Sequence, residues 1–268
     1  MLRMDFYRFF HSKRRYLIYL FMFFIVIAYQ SATLVYPKTP EFLFPVGTDS
    51  AYGSIHIFSF GLGTILAPIF AFLSFGLVAG DWFLKDKKSQ FVQQIILREG
   101  KKSYVLSHYF LAFLAGAFVL IFPLFINTLI TFARARAIPV VLENAGGILL
   151  GRIGSDALRD IFLENFTLFI FILLLRAGFL AGMMSMFAIA ICNQSESPYL
   201  GLFLPYFYSF AISNLLGVVL NSESNLIDLT LGYPDTFGIE GFLYLLPIIL
   251  FIAFDIYKQL ERKDLLFE

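Results

Sequence analysis

The sequence predicts an all-α integral membrane protein with six transmembrane helices. Of its 268 residues, 59% are hydrophobic and only 15% are charged, and the apolar residues gather into runs of about 20. A soluble domain is about half apolar and a quarter charged, so this chain has too few charges to cover a surface that faces water. Composition therefore excludes a soluble enzyme, a nucleic-acid-binding protein and a disordered scaffold.

Six apolar runs bounded by polar clusters are long enough to cross a membrane as helices, which satisfy their own backbone polar groups in lipid. The runs cover residues 16–36, 60–84, 104–132, 161–192, 199–220 and 241–257. Because the third and fourth runs exceed one crossing, we expect them to tilt or to extend beyond the lipid. Neither a solenoid repeat nor a low-complexity linker is visible, and we predict one transmembrane domain over residues 1–268.

The basic residues predict the orientation of these spans. They concentrate in the amino-terminal tail, in the connection between the second and third spans, and in the carboxyl-terminal tail. Basic loops stay on the cytoplasmic side, so both termini and this connection are expected there. Residues 1–15 also alternate aromatic and basic side chains, which predicts an interfacial amphipathic helix; a plain basic flank is the alternative.

No motif for catalysis, cofactor binding or metal binding is present in the sequence. It lacks a phosphate-binding loop, an H-E-x-x-H and a G-x-S-x-G. The histidines His11, His56 and His108 lie in separate segments, and Cys192 is the only cysteine. We therefore predict no catalytic, cofactor-binding or metal-ligating residues in this chain, and no enzymatic activity of its own.

The second-to-third connection carries the strongest local signal. Asp81 closes the second span, and residues 89–97 place apolar side chains at 91, 92, 95 and 96 on one helical face. Gly100 is expected to end this short helix, and the basic pair after it to anchor the third span. This helix either rests on the lipid surface or docks a cytosolic protein.

These features together resemble the type-2 ATP-binding-cassette (ABC-2) permeases of bacteria, in particular the small permeases of low-GC Gram-positive species. The resemblance rests on the basic and aromatic amino-terminal tail, the acidic end of the second span, the short Gln-rich helix, and Arg-x-x-Lys-Lys-x-Tyr-x-x-Ser beginning at Arg98. The stretches 178–185 and 197–206, which end the fourth span and begin the fifth, fit as well. The similarity covers nearly the whole chain in topology.

The resemblance implies a multi-pass permease subunit of the bacterial cell membrane that pairs with a second permease, identical or different. Two cytosolic ATPase subunits would bind ATP and Mg²⁺, and the exported substrate would be an amphiphile such as a drug, an antimicrobial peptide or a lipid-like molecule. The contact with the ATPase would lie in the second-to-third connection, with residues 8–14 as a further contact. Carried onto this sequence, the coupling residues are Phe91, Val92, Gln94, Ile95, Arg98 and Glu99.

Charged and polar residues within the spans are the remaining candidates. Arg176 lies near the middle of the fourth span, and its expected partners are Asp81 and Asp255. It either fixes helix packing as an ion pair or lines a path for an anionic or zwitterionic head group. Amides in spans are expected to bond between helices, and Gly178 with Gly182 to allow close helix contact. These amides are Asn127, Asn165 and Asn214.

Two other functions remain as alternatives to an ATP-driven permease. An autonomous channel or secondary transporter predicts several buried carboxylates or a polar helix stripe. An intramembrane enzyme predicts clustered histidines or carboxylates within the spans. The sequence places only Arg176 deep in a span, which favours the permease.

Overall fold

The computed structural model describes residues 16–25, 62–79, 96–98, 100–134, 160–161, 164–220 and 239–261. Every regular element in these ranges is an α-helix, as the composition predicts. Six helices in these ranges have ten or more residues, and each overlaps one of the predicted spans: α1 (Tyr16–Ile25), α2 (Leu62–Ala79), α3 (Lys101–Arg134), α4 (Phe166–Ser195), α5 (Pro198–Leu220) and α6 (Ile239–Glu261). The predicted amino-terminal helix over residues 1–15 lies outside the described residues.

Four of the helices, α3 to α6, are long and apolar enough to cross a membrane. At about 1.5 Å per residue, the 34 residues of α3 extend about 51 Å, more than the roughly 30 Å of a hydrocarbon core. Both α3 and α4, with 34 and 30 residues, are longer than one crossing needs, and their tilt or extension beyond the lipid stays a prediction. These helices indicate a multi-pass membrane protein.

Helix α4 lies at the centre of the bundle. It contacts α2, α3, α5 and α6, and these four also contact one another in the order α2, α3, α6, α5. Side chains on all sides of its second half, from Ala181 to Asn193, are buried, apart from the half-buried Met186. A helix that is apolar all round suits a protein interior or a membrane span, and the sequence of α4 has this character.

Glycines let α3 and α4 approach closely. A Cβ atom on Gly116 would lie 2.5 Å from the carbonyl oxygen of Ala181, and one on Gly182 would lie 2.5 Å from Cδ2 of Phe113. A Cβ on Gly178 would overlap the side chain of Ile121. In lipid, helices gain no hydrophobic driving force from association, and small residues let their backbones come close enough for van der Waals packing to stabilise the contact. The predicted contact face of Gly178 and Gly182 is confirmed.

The helices alternate in direction. Lys101 at the start of α3 contacts Leu260 at the end of α6, with Lys101 Nζ donating to the Leu260 carbonyl oxygen. Gly76 near the end of α2 packs against Gly201 near the start of α5, since a Cβ on Gly76 would lie 2.7 Å from the Gly201 carbonyl oxygen. Only Glu196 and Ser197 separate α4 from α5. The end of α2, the start of α3, the end of α4, the start of α5 and the end of α6 therefore share one side.

Helix α1 packs against α2 and α3 through aromatic rings. The ring of Tyr19 meets that of Phe118 edge to face at 5.4 Å between centroids, and Phe23 stacks on Phe122 at 6.0 Å. Because both partners advance by four residues, α1 runs parallel to α3. The first and third spans are expected to be parallel when successive spans alternate in direction.

Two of the predicted interhelical amides bond within their own helix. The side-chain oxygen of Asn165 caps α4 by accepting from the backbone N–H of Leu168 at 3.1 Å. Asn214 Nδ2 donates to the carbonyl oxygen of Phe210, one turn earlier in α5, at 2.6 Å. For these two the expectation was wrong, because a backbone group within one turn of the same helix is a nearer partner than a neighbouring helix.

Candidate functional site

The buried carboxylate of Asp255 is the centre of the main polar site in the described residues. Asp255 lies on α6, six residues before its last residue, and its side chain is 0% exposed. A carboxylate taken out of water is costly unless hydrogen bonds or opposite charge compensate it. The surroundings of Asp255 supply such bonds from three helices.

Four donors approach the two oxygens of Asp255. Oδ2 accepts from the hydroxyl of Tyr109 on α3 and from Asn193 Nδ2 on α4 at 2.9 Å. Oδ1 accepts from Gln194 Nε2, and from Gln259 Nε2 at 3.5 Å. Four donors match the acceptor-only character of an ionised carboxylate. We call this set, together with Lys258, the Asp255 network; its members are Tyr109, Asn193, Gln194, Asp255, Lys258 and Gln259.

Lys258 joins the network through an amide. Its Nζ donates to Gln194 Oε1 at 2.6 Å, while the other end of the same amide donates to Asp255. The side chain of Gln194, at the end of α4, thus bridges the positive charge of Lys258 and the negative charge of Asp255, both of which lie on α6. The spacing on α6 explains this, because residues 255, 258 and 259 share one face of a helix.

Two amide oxygens in the network have no hydrogen-bond partner in the described part of the chain. They are Asn193 Oδ1 and Gln259 Oε1, on side chains that are 4% and 1% exposed. A buried acceptor without a partner costs about 1–3 kcal/mol. The network therefore holds unused acceptor capacity next to a carboxylate.

The structure does not bring Arg176 to Asp255. Arg176 is a half-buried residue of α4, and Asp255 on α6 bonds to Asn193 near the end of α4. Positions along α4 therefore give the distance between the two side chains. Seventeen residues of continuous helix separate Arg176 from Asn193, about 25 Å along the axis. An arginine side chain cannot reach that far, so the expected Arg176–Asp255 pair was wrong. Asp81, the other expected partner, lies outside the described residues.

The end of the predicted coupling segment is visible just before α3. Ile96 is buried in the core, whereas Leu97 and Arg98 are exposed. The backbone N–H of Gly100 donates to the Ile96 carbonyl oxygen at 2.9 Å, and Gly100 has φ = 84°. This left-handed residue ends the short helix as predicted. The other predicted coupling residues lie outside the described part of the chain: Phe91, Val92, Gln94, Ile95 and Glu99.

A second polar cluster joins α4, α5 and α6 nearer the middle of the bundle. The hydroxyl of Tyr208 donates to the Tyr244 carbonyl oxygen at 2.8 Å, and Ser209 Oγ lies 2.6 Å from the Tyr244 hydroxyl. Beside Tyr244 is an apolar cavity of about 10 Å³, room for about one water molecule. This cavity is too small for an amphiphilic substrate.

Sequence reasoning identified Asp255 and missed the rest of its network. Asn193 and Gln194 end an apolar run, and Gln259 follows Asp255 by one helical turn, so the pairing of amides with an in-span carboxylate was the available signal. No group of three or more His, Cys, Asp or Glu side chains that could hold a metal ion occurs among the described residues. The network instead combines one carboxylate with neutral oxygen and nitrogen groups.

No protein-family model matches the chain, and neither a curated protein nor a solved structure is significantly similar to it. The resemblance to ABC-2 permeases therefore rests on the sequence features alone.

Proposed function

We propose that this chain is the membrane-spanning subunit of an ATP-driven exporter, of the ABC-2 permease type, with six spans and cytoplasmic termini. ATP would be bound and hydrolysed by two separate cytosolic subunits, and a second permease subunit would complete the pathway. The exported substrate would be an amphiphilic compound.

One observation supports this proposal best. The exposed Arg98 stands two residues before Gly100, and α3 begins at Lys101, the residue after Gly100. Ile96, two residues before Arg98, is buried in the core, so a force applied to the connection would act on the bundle as well as on α3. A segment that docks a partner on one side and begins a long helix on the other is suited to mechanical coupling. The alternation of helix directions also agrees with six spans.

The proposal is tested by capture of an ATPase subunit. The chain and the ATP-binding-cassette ATPase encoded beside it would be co-expressed and purified through a tag on the permease. We expect stoichiometric recovery of the ATPase, and loss of most of it when Arg98→Glu is combined with Glu99→Arg. Lys102→Glu is the matched control, because Lys102 is an exposed basic residue of the same region that is not assigned to the contact. Equal recovery in all three proteins would contradict the assignment.

A secondary transporter is the second function that an observation favours. Asp255 is a fully buried carboxylate within the bundle, and intramembrane carboxylates are the groups that ion-coupled transporters use. The two functions differ in their energy source. Transport by the purified chain in proteoliposomes with an ion gradient and no ATPase would favour the carrier and overturn the permease.

A further inference from the structure

The Asp255 network has the composition of a cation site. Its negative charge sits on a fully buried side chain, and the four groups that donate to it are neutral. Lys258, the charged member of the network, reaches Asp255 only by way of Gln194. Hydrogen bonds from neutral donors carry no compensating charge to the carboxylate.

The two amide oxygens without partners lie beside this charge. Asn193 Oδ1 belongs to the amide whose nitrogen is 2.9 Å from Asp255 Oδ2, and Gln259 Oε1 to the amide whose nitrogen is 3.5 Å from Oδ1. Each of these oxygens therefore belongs to an amide whose nitrogen already donates to the carboxylate. A half-turn of each amide would exchange its oxygen and nitrogen with little change of shape, so that the oxygen faces the carboxylate side and the nitrogen no longer donates to Asp255.

We propose that the Asp255 network binds a small monovalent cation, with ligands from the Asp255 carboxylate, Asn193 Oδ1, Gln259 Oε1 and the Tyr109 hydroxyl oxygen. These are hard oxygen ligands, which suit alkali and alkaline-earth ions rather than transition metals. A single carboxylate balances one positive charge, whereas sites for Ca²⁺ generally combine several acidic ligands. The ion would balance the buried charge and, with both amides turned, would take their two oxygens as ligands.

The site lies near one end of the bundle. Asn193 is two residues from the end of α4, and Ser195 at that end is exposed. Gln194 and Lys258, which flank Asp255 on this side, are half-buried. An ion coming from water would thus pass one layer of polar side chains before it meets the carboxylate. This side is the cytoplasmic one in the predicted orientation.

A bound ion would hold three helices together. Its ligands come from α3, α4 and α6, so the site exists only when these helices are packed. Binding to the folded state alone raises stability in proportion to the logarithm of the ion concentration. The inference does not depend on the proposed function, because it concerns the chain without any ATPase.

Thermal unfolding of the purified full chain in detergent tests the proposal. The midpoint Tm would be measured in NaCl, KCl, LiCl and choline chloride at equal ionic strength. We expect at least one alkali cation to raise Tm relative to choline, by about 5 °C at roughly a hundred times its dissociation constant, with single-site saturation. Asp255→Asn should abolish the rise. Glu261→Gln, which removes a negative charge from an exposed side chain of the same helix, should retain it.

A second variant covers the case in which Asp255→Asn does not fold. Gln259→Leu removes one ligand oxygen and keeps the carboxylate, and we expect the half-saturating concentration to rise at least about tenfold. Identical Tm values in all four salts would overturn the proposal. The same salt response in Asp255→Asn as in the unchanged chain would also overturn it, as an ionic-strength effect. A Tm that moves with pH and with no alkali cation would assign the site to a proton instead.

Discussion

Lys101 Nζ donates to the backbone carbonyl oxygen of Leu260 at 3.1 Å, which ties the first residue of α3 to the last turn of α6. Eight residues further along α3, Tyr109 donates to Asp255 on α6. The two helices are thus joined at two heights on the side where the predicted coupling segment enters the bundle. A movement of that segment would reach α6 through these contacts.

Replacement of Lys101 should reduce coupling to the ATPase more than it reduces the stability of the fold. Lys101→Met deletes the bond to Leu260 and keeps most of the apolar stem. We expect a loss of no more than about 1–2 kcal/mol in the free energy of unfolding, because a hydrogen bond from a charged donor contributes about 1.5–3 kcal/mol and this one is only partly buried. If the proposed function holds, substrate-stimulated ATP turnover of the assembled complex should fall more strongly than stability does.

Lys102→Met is the matched control for this experiment, since the neighbouring lysine is exposed. Its stability and ATP turnover should stay near those of the unchanged chain. Equal losses of turnover in the two variants would argue against a specific role for the bond to Leu260.

Truncation of Asp255 should destabilise the fold. Asp255→Ala leaves the buried donors of Tyr109 and Asn193 without their acceptor, and each such donor costs about 1–3 kcal/mol. We therefore expect a loss of at least about 2 kcal/mol, measured by thermal or denaturant unfolding in detergent. Glu261→Ala removes an exposed carboxylate from the same helix and should change stability little. An Asp255→Ala protein as stable as the unchanged chain would show that the network does not hold α3, α4 and α6 together.

Added volume at Gly116 should force α3 away from α4. A Cβ there would lie 2.5 Å from the Ala181 carbonyl oxygen, a backbone atom that cannot rotate away. Gly116→Val is expected to cost about 1–3 kcal/mol, the usual range for overpacking, and to lower the yield of folded protein. Ala253→Val adds volume at an exposed position of α6 and should be tolerated. A fully stable Gly116→Val protein would contradict the close helix contact.

Variants of Arg176 separate its two predicted roles. If the half-buried side chain fixes helix packing, Arg176→Ala should lower both the folded yield and Tm, and Arg176→Lys should restore much of the loss. If the side chain meets a substrate head group, Arg176→Ala should fold normally and lose transport. Transport assays and size-exclusion profiles of the same preparations distinguish these results. Normal folding and transport in Arg176→Ala would end both hypotheses.

The helices and the contact face of Gly178 and Gly182 were predictable because they follow from local properties. Run length sets the spans, and the spacing of Gly178 and Gly182 places both on one face of α4. Gly100 could be recognised as a helix end because glycine readily adopts positive φ. These signals depend on residues that are near one another in the sequence.

The partners of Asp255 were not predictable in the same way. Arg176 was expected as a partner because opposite charges in spans attract. The two side chains lie too far apart along the axis of the bundle to meet. The actual partners are neutral amides and a phenol, whose pairing depends on which ends of α3, α4 and α6 meet. The central place of α4 also depends on the assembled bundle, since its apolar circumference is equally suited to lipid.

The interior position of α4 has a consequence for biosynthesis. Helices α2 and α3 are translated before the segment that covers them, so a chain stopped after α3 has glycine-lined surfaces with nothing to fill them. Such an intermediate would need lipid or an insertion factor to occupy Gly116 and its neighbours until α4 follows. Because α5 and α6 are translated after α4, the central helix would pack first against α2 and α3, and its other side would be enclosed only when α5 and α6 follow.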